Sequence, residues 1–324
     1  MVRVFEILIA ACVAIGMSGC GQKDSVASVA TNVGETFSVG GTVTSMAIDP
    51  STGHLYVNDY DGRKVLVLDP TSHSVVRTLD TAEHPTDIAI SSSANVAFVS
   101  EQEDGTVSAF DLSTGTKKTT FSVGKFPNKL ALNDSAQLLY VQNQGSATIS
   151  IVELPLVGTS PDPVFETLSV QSNPVAMVFV PSTQKIFVGS QVDGSVQIID
   201  MSTNTVGAPN KVGVQAGTFA DGGQNEVYYA DWANGIFSSL DSANGQLLWN
   251  VPVGANPSSI AVNGKAGVAY VALNQSNAIA VVDLAKHTVD HKIDTGPNPQ
   301  RLLTDPKSQE VYLAQLSGTI GVLR

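Results

Sequence analysis

The sequence predicts an all-β, seven-bladed β-propeller built from four-stranded antiparallel blades, with an N-terminal strand closing the last blade. Three observations carry this. A strand aromatic recurs seven times, at Tyr56, Phe98, Tyr140, Phe187, Tyr228, Tyr270 and Tyr312, with spacings of 42, 42, 47, 41, 42 and 42 residues. Thirteen residues before it stands Pro85, Pro127, Pro174, Pro257 or Pro299, with Val43 and Gln215 taking that place in the first and fifth repeats. Thirteen residues after it stands an acid: Asp69, Asp111, Glu153, Asp200, Asp241 or Asp283. Radial repetition of four-strand units about this long is the propeller signature.

The second repeat shows the elements in order. Strand A is TDIAI (86–90), after Pro85; strand B is NVAFVS (95–100). Glu103-Asp104-Gly105 turns into strand C, TVSAFD (106–111), and Ser113-Thr114-Gly115 turns into strand D, KKTTFS (117–122). Glycine and Asn sit where a turn needs positive φ. Strands A to C alternate or run apolar, and no segment holds a 3.6-residue period.

The final repeat stops at Arg324, near the end of strand C. Phe37-Ser38-Val39-Gly40 precedes Val43 by six residues, as Phe121-Ser122-Val123-Gly124 precedes Pro127. Residues 33–39 are therefore expected to supply the missing strand D, closing the ring and removing two sheet edges. The third repeat holds five extra residues between Glu153 and Pro174, expected in its C–D loop. The propeller is read over residues 33–324.

The 324 residues carry 29 acids against 17 Lys and Arg, a formal charge of −12. A nucleic-acid partner is not expected, because phosphate neutralisation needs clustered Lys and Arg. Residues 1–19 differ in kind: Arg3 starts them, and Ile7 to Met17 is an apolar run too short to span a bilayer but right for a signal peptide. Met17-Ser18-Gly19-Cys20 resembles the bacterial lipobox, with Met17 where Leu is usual. That resemblance implies a lipid on Cys20, a small polar tether over 20–32, a membrane partner, and a cell-envelope location. Gly21 after the cysteine implies the outer membrane in a two-membrane bacterium. An ordinary cleaved signal peptide is the alternative. The other cysteine, Cys12, lies in the apolar run, so the mature domain has no disulfide, Cys nucleophile or Cys metal site.

The segments VGKFPNKLA (123–131), VGANPSSIA (253–261) and TGPNPQRLL (295–303), with LYVND, IFVGS, AYVAL, VQIID and AVVDL, resemble the YVTN-type β-propeller repeat family of surface-layer and YncE-like secreted proteins. The resemblance covers residues 33–324 and implies a secreted propeller without implying an activity. The segment 241–249, DSANGQLLW, is similar to the tryptophan-docking repeat of quinoprotein dehydrogenases, but occurs once; Trp249 reads as a strand-D packing residue.

Residues in the loops before strand A are expected at the mouth of the central channel. Glu83, His84 and Asp87 form the one compact group of acids and imidazole; Lys125, Lys129, Gln300 and Arg301 hold equivalent places in other repeats. Such a ring suits a polar small ligand or a peptide, and equally the wet lining of a channel. The B–C loops on the same face contribute Asp231 and Trp232, an interface anchor or a blade-packing pair. His73, His287 and His291 fall at or near strand D and read as solvated rim residues. Asp59-Tyr60-Asp61-Gly62 reads as a hairpin turn rather than a calcium loop. No nucleophile elbow or phosphate loop occurs, and no catalytic residue, metal site or cofactor is expected. The reading is a binding or scaffold module for an unknown protein or small ligand; the alternative is a hydrolase or quinoprotein-like enzyme with its site in the channel.

Overall fold

The computed structural model describes residues 28–154 and 163–324. They form seven antiparallel sheets, six with their strands in sequence order A-B-C-D and the seventh completed by a strand from the N-terminus. Blade 2 is typical: Pro85–Ser91, Val96–Glu101, Thr106–Asp111 and Lys117–Ser122. The seven A strands pack on one another in a closed circle, that of blade 7 (Pro299–Thr304) on that of blade 1 (Val43–Ile48). This circle is the wall of the central channel.

The core is divided among the seven blade-to-blade seams. Each seam holds one apolar cluster drawn from two neighbouring blades, as where Tyr56, Val65 and Leu79 meet Ala97, Val99 and Phe110. The repeat aromatics sit in these layers, with Tyr140 and Phe187 fully buried. A strand that contacts a neighbouring blade on both faces must be apolar on both, hence the continuous runs of strands B and C. Strand D faces a neighbour on one side only and alternates buried with exposed residues. The acid that ends strand C closes the following turn: Asp111 Oδ1 accepts the N–H groups of Ser113 and Thr114 at 3.0 and 2.9 Å. The Ser113 hydroxyl, which also donates to Oδ1, and then the Thr114 N–H hold the Asp111 carboxyl below the usual range.

Blade 7 takes its outer strand from the N-terminus: Val33–Ser38 pairs with Thr319–Leu323, Phe37 opposite Ile320. The seal extends back to Ala30, whose N–H donates to Tyr270 Oη at 2.9 Å and whose carbonyl lies 2.9 Å from His291 Nε2. The N–H groups of Thr31 and Asn32 both donate to the Arg324 carbonyl. The chain thus approaches the ring on the face of the A–B and C–D turns, beside Asn263 and Ser308.

Three details depart from the regular repeat. In blade 5, Ala216 rather than Gln215 lies opposite Asp231, the place Pro85 holds opposite Glu101. The shift arises because the blade 5 A–B turn is a two-residue hairpin, Gln224-Asn225, both at positive φ, where blade 2 spends four residues. In blade 4 the outer strand breaks into Thr205–Val206 and Asn210–Lys211, since Pro209 has no N–H for the ladder. In blade 3, the insertion expected in the C–D connection falls largely on residues 155–162, outside the described residues.

Candidate functional site

Two residues after the Pro position, strand A turns one side chain per blade toward the channel: Ser45, Asp87, Lys129, Ala176, Thr218, Ser259 and Arg301. Six of these seven, all but Ala176, line a cavity of about 160 Å³. Just above them the ring is stitched from blade to blade. The hydroxyls of Thr44, Thr86 and Ser258 donate to the carbonyls of Pro85, Pro127 and Pro299 at 3.2, 2.8 and 3.0 Å. Inner-edge N–H groups are also met: Leu130 donates to Asp87 Oδ2 and Leu302 to Ser259 Oγ, both at 3.0 Å. An inner strand would otherwise present unpaired backbone to the channel.

Three charges share this cavity. Asp87 is 9 % exposed, and its Oδ1 accepts the Ser45 hydroxyl at 2.6 Å. Lys129 Nζ lies 3.8 Å from the same oxygen. Arg301 donates its Nε to the Thr44 carbonyl across the closing seam between blades 7 and 1. Burial, with the Arg301 charge nearby, pulls the Lys129 ammonium down to about 8, against the pull of Asp87. Burial likewise lowers Arg301. A chain with a formal charge of −12 thus has a channel with one cation in excess.

The other expected channel-mouth residues do not line this cavity. Glu83, His84 and Asp87 do not converge. The Glu83 carboxylate pairs with Arg63 at 2.6 Å on the exposed rim. The His84 ring stacks on Tyr60 at 4.3 Å, with Nδ1 3.4 Å from Glu103. His84 takes positive φ (54°) just before strand A begins at Pro85, and this turn separates Glu83 and His84 from Asp87. Lys125 is exposed and lines a separate groove with Glu103, Asp104 and Phe126. Gln300 accepts from Asn274 Nδ2 at 2.9 Å.

Asp231 is buried, and its carboxylate is taken up by the N–H groups of Val214, Gln215, Ala233 and Asn234. It is the blade 5 counterpart of Asp59 and Glu101, which accept the N–H groups of Thr42 and Ala82. Each ties a D–A loop to the end of strand B. Trp232, next to it, is 39 % exposed. The polar residue three places after six of the seven aromatics, all but Tyr270, was the sequence signal for this clamp.

Of the histidines expected as solvated rim residues, His73 is largely covered, while His287 stays exposed and stacks by one ring face. His73 stacks on Phe37 at 4.2 Å with a side chain only 12 % exposed. His287 stacks on Trp249 at 4.3 Å. Both sit in a C–D turn at positive φ, which aims the ring at the outer strand of the preceding blade. Trp249 packs as expected, against Tyr228 and Phe237 in the seam between blades 5 and 6.

Exposed apolar side chains were not anticipated as a group. Phe126, Val192, Val214, Trp232 and Leu316 all lie in D–A or B–C loops, around the channel mouth. Phe126 stands out because its φ is 52°, a conformation that Asn173, Asn256 and Asn298 adopt at the same place in other blades. Asn tolerates this region and a bulky residue does not.

Among the described residues, no three of His, Cys, Asp and Glu are placed to hold a metal ion, and no helix is long and apolar enough to cross a membrane. Cys20 and the signal-peptide segment lie outside the described residues.

Solved structures similar to this chain include hydrazine synthase of Kuenenia stuttgartiensis, at TM-score 0.75 and 15 % identity, covering 88 % of this chain and 96 % of that one. A chain of the Mitotic Checkpoint Complex matches at TM-score 0.80 and 14 % identity, covering 100 % and 98 %. At such identities the likeness is one of fold alone. No curated protein sequence matches the chain. The family model described as "Choice-of-anchor I domain" matches residues 44–300, most of the ring, and the chain belongs to that family.

Proposed function

We propose that this protein is a lipid-anchored binding module of the cell envelope, which takes a small ligand or a protein on its D–A/B–C loop face, over the central channel. The observation that carries the reading is the combination, at that one face, of a charged cavity with exposed apolar groups. The charged cavity is lined by residues near that end of the inner strands, and five of the ten exposed large apolar side chains of the described residues lie there, one held at positive φ, the other five being on outer strands. Exposed apolar groups around a polar pocket are what a recognition surface offers.

Membership of the choice-of-anchor I family supports a cell-surface or extracellular location. The lipobox-like Met17-Ser18-Gly19-Cys20 supports attachment through Cys20, and the YVTN-like repeat pattern supports a secreted origin. The described chain begins at Ser28 on the opposite face, beside Asn263 and Ser308. A tether leaving there would turn the loop face away from the membrane, toward solution and partners.

The test is mass spectrometry of the native full-length protein in mild detergent, with carbene footprinting of the loop face. A diacyl or triacyl mass on Cys20, and protection of Phe126 and Trp232 in the cell-extracted material relative to stripped protein, are expected. An unmodified Cys20 overturns the anchor; equal labelling in both preparations overturns the binding face.

A further inference from the structure

We infer that the central channel is a receptor for a small carboxylate monoanion, held between Arg301 and Lys129. This rests on the loop-face reading above and names the ligand class for its cavity.

The first ground is donor accounting. Both Asp87 oxygens are engaged, Oδ1 by the Ser45 hydroxyl and Oδ2 by the Leu130 N–H. At 3.8 Å, Lys129 Nζ lies beyond hydrogen-bond reach of Asp87. Arg301 spends only Nε, on a backbone carbonyl. The ammonium and the two Nη groups therefore have no acceptor among the described residues, although all face one cavity. Lys129 and Arg301 are partly shielded from water, so donors left without acceptors carry a cost, and a structural ion pair would close to contact. An oxyanion between them supplies the missing acceptors, and the guanidinium fork matches two carboxylate oxygens.

The second ground is charge. Two cations face one carboxylate, so a monoanion brings the cavity to neutrality, whereas a phosphate dianion overshoots it. The third is size and lining. The cavity of about 160 Å³ equals about five water volumes, room for a carboxylate and a few further heavy atoms. Ser259 accepts through Oγ from Leu302 and keeps its own proton to donate. Met46, Phe219, Ile260 and Leu302 add apolar wall. The site thus fits a short carboxylate with an apolar or hydroxylated stub.

The experiment is isothermal titration calorimetry of the full chain in mild detergent at pH 7 and constant ionic strength, with sodium acetate, sodium lactate and inorganic phosphate as probes. Saturable one-to-one binding of acetate or lactate is expected, tighter than phosphate. Lys129→Met and Arg301→Gln should each weaken it about tenfold or more, the scale of one charge-assisted hydrogen bond. Arg301→Lys keeps the charge and removes the fork, and thermal melts report whether each variant folds. As an independent readout, the ¹³Cε resonance of Lys129 should titrate at higher pH with the carboxylate bound. Absence of saturable binding, tighter binding of phosphate, or unchanged affinity in folded variants overturns the inference. A native ligand of another class on the same face would overturn the carboxylate and leave the binding-module reading standing; an unprotected face would overturn that reading itself.

Discussion

Lys129 Nζ and Asp87 Oδ1 stand 3.8 Å apart in adjacent blades. The two residues occupy the same position of successive repeats, 42 residues apart, each on the inner strand of its own blade. Asp87 is held back by Ser45 and by the Leu130 N–H, so the lysine cannot be fully neutralised by it. A cation kept short of its counter-ion costs stability and is available for binding.

Removing that cation should therefore stabilise the fold. Lys129 titrates near 8 in the folded chain against 10.5 for an ordinary lysine, with Asp87 and Arg301 the charged groups facing it. Between those values the unfolded chain binds more protons, so wild-type stability rises with pH through that window, and the full penalty applies below it. Lys129→Met should be more stable than wild type at pH 7, on the order of 2 kcal/mol, and lose the advantage above pH 10.5. Urea melts across pH 7–11 measure this; parallel pH profiles for the two proteins would contradict it.

Asp231→Ala should behave in the opposite sense. Four backbone N–H groups lose a buried carboxylate acceptor, although Val214, Ala233 and Asn234 themselves are exposed. A loss of about 3 kcal/mol is expected, with Asp231→Asn recovering part of it. A denaturation midpoint unchanged in the alanine variant would show that the clamp is replaced by water.

The Trp249–His287 stack bridges blades 5 and 6. Trp249→Ala should cost about 3 kcal/mol and His287→Ala about 1 kcal/mol, with a coupling of about 1 kcal/mol in the double-mutant cycle. Strict additivity would mean that the rings pack on their own blades and not on each other.

Phe126→Asn should raise stability by about 1 kcal/mol, because Asn fills the same positive-φ site in three other blades. It should also weaken capture of whatever covers the loop face, since it removes an aromatic that is 44 % exposed. A variant that is more stable and binds as before would assign Phe126 to drift rather than recognition.

Much of this was legible in the order of residues. The Pro and Asp positions flanking each aromatic mark a strand start and a turn within one repeat, and a repeat folds on local rules. Phe37 echoing Phe121 was enough to predict that the N-terminus completes blade 7. His73 was misjudged because its partner, Phe37, lies in the preceding blade and meets it only across a seam. Ala216 was displaced by one residue because a two-residue turn replaced a four-residue one and a bulge at Gly222 gave one residue back.

The sequence by itself determined the number of blades, the strand order and the way the ring closes, since these follow from periodicity and turn chemistry repeated every 42 residues or so. It also put Asp87, Lys129 and Arg301 at one repeat position. Only the tertiary structure decided that these three share one small cavity, that Asp87 is already spent on Ser45 and Leu130, and that Glu83 and His84 turn away to the rim. Those relations depend on the closed circle of inner strands, which brings residues more than 200 positions apart across one channel. Solvation and donor accounting exist only once that circle has excluded most of the water.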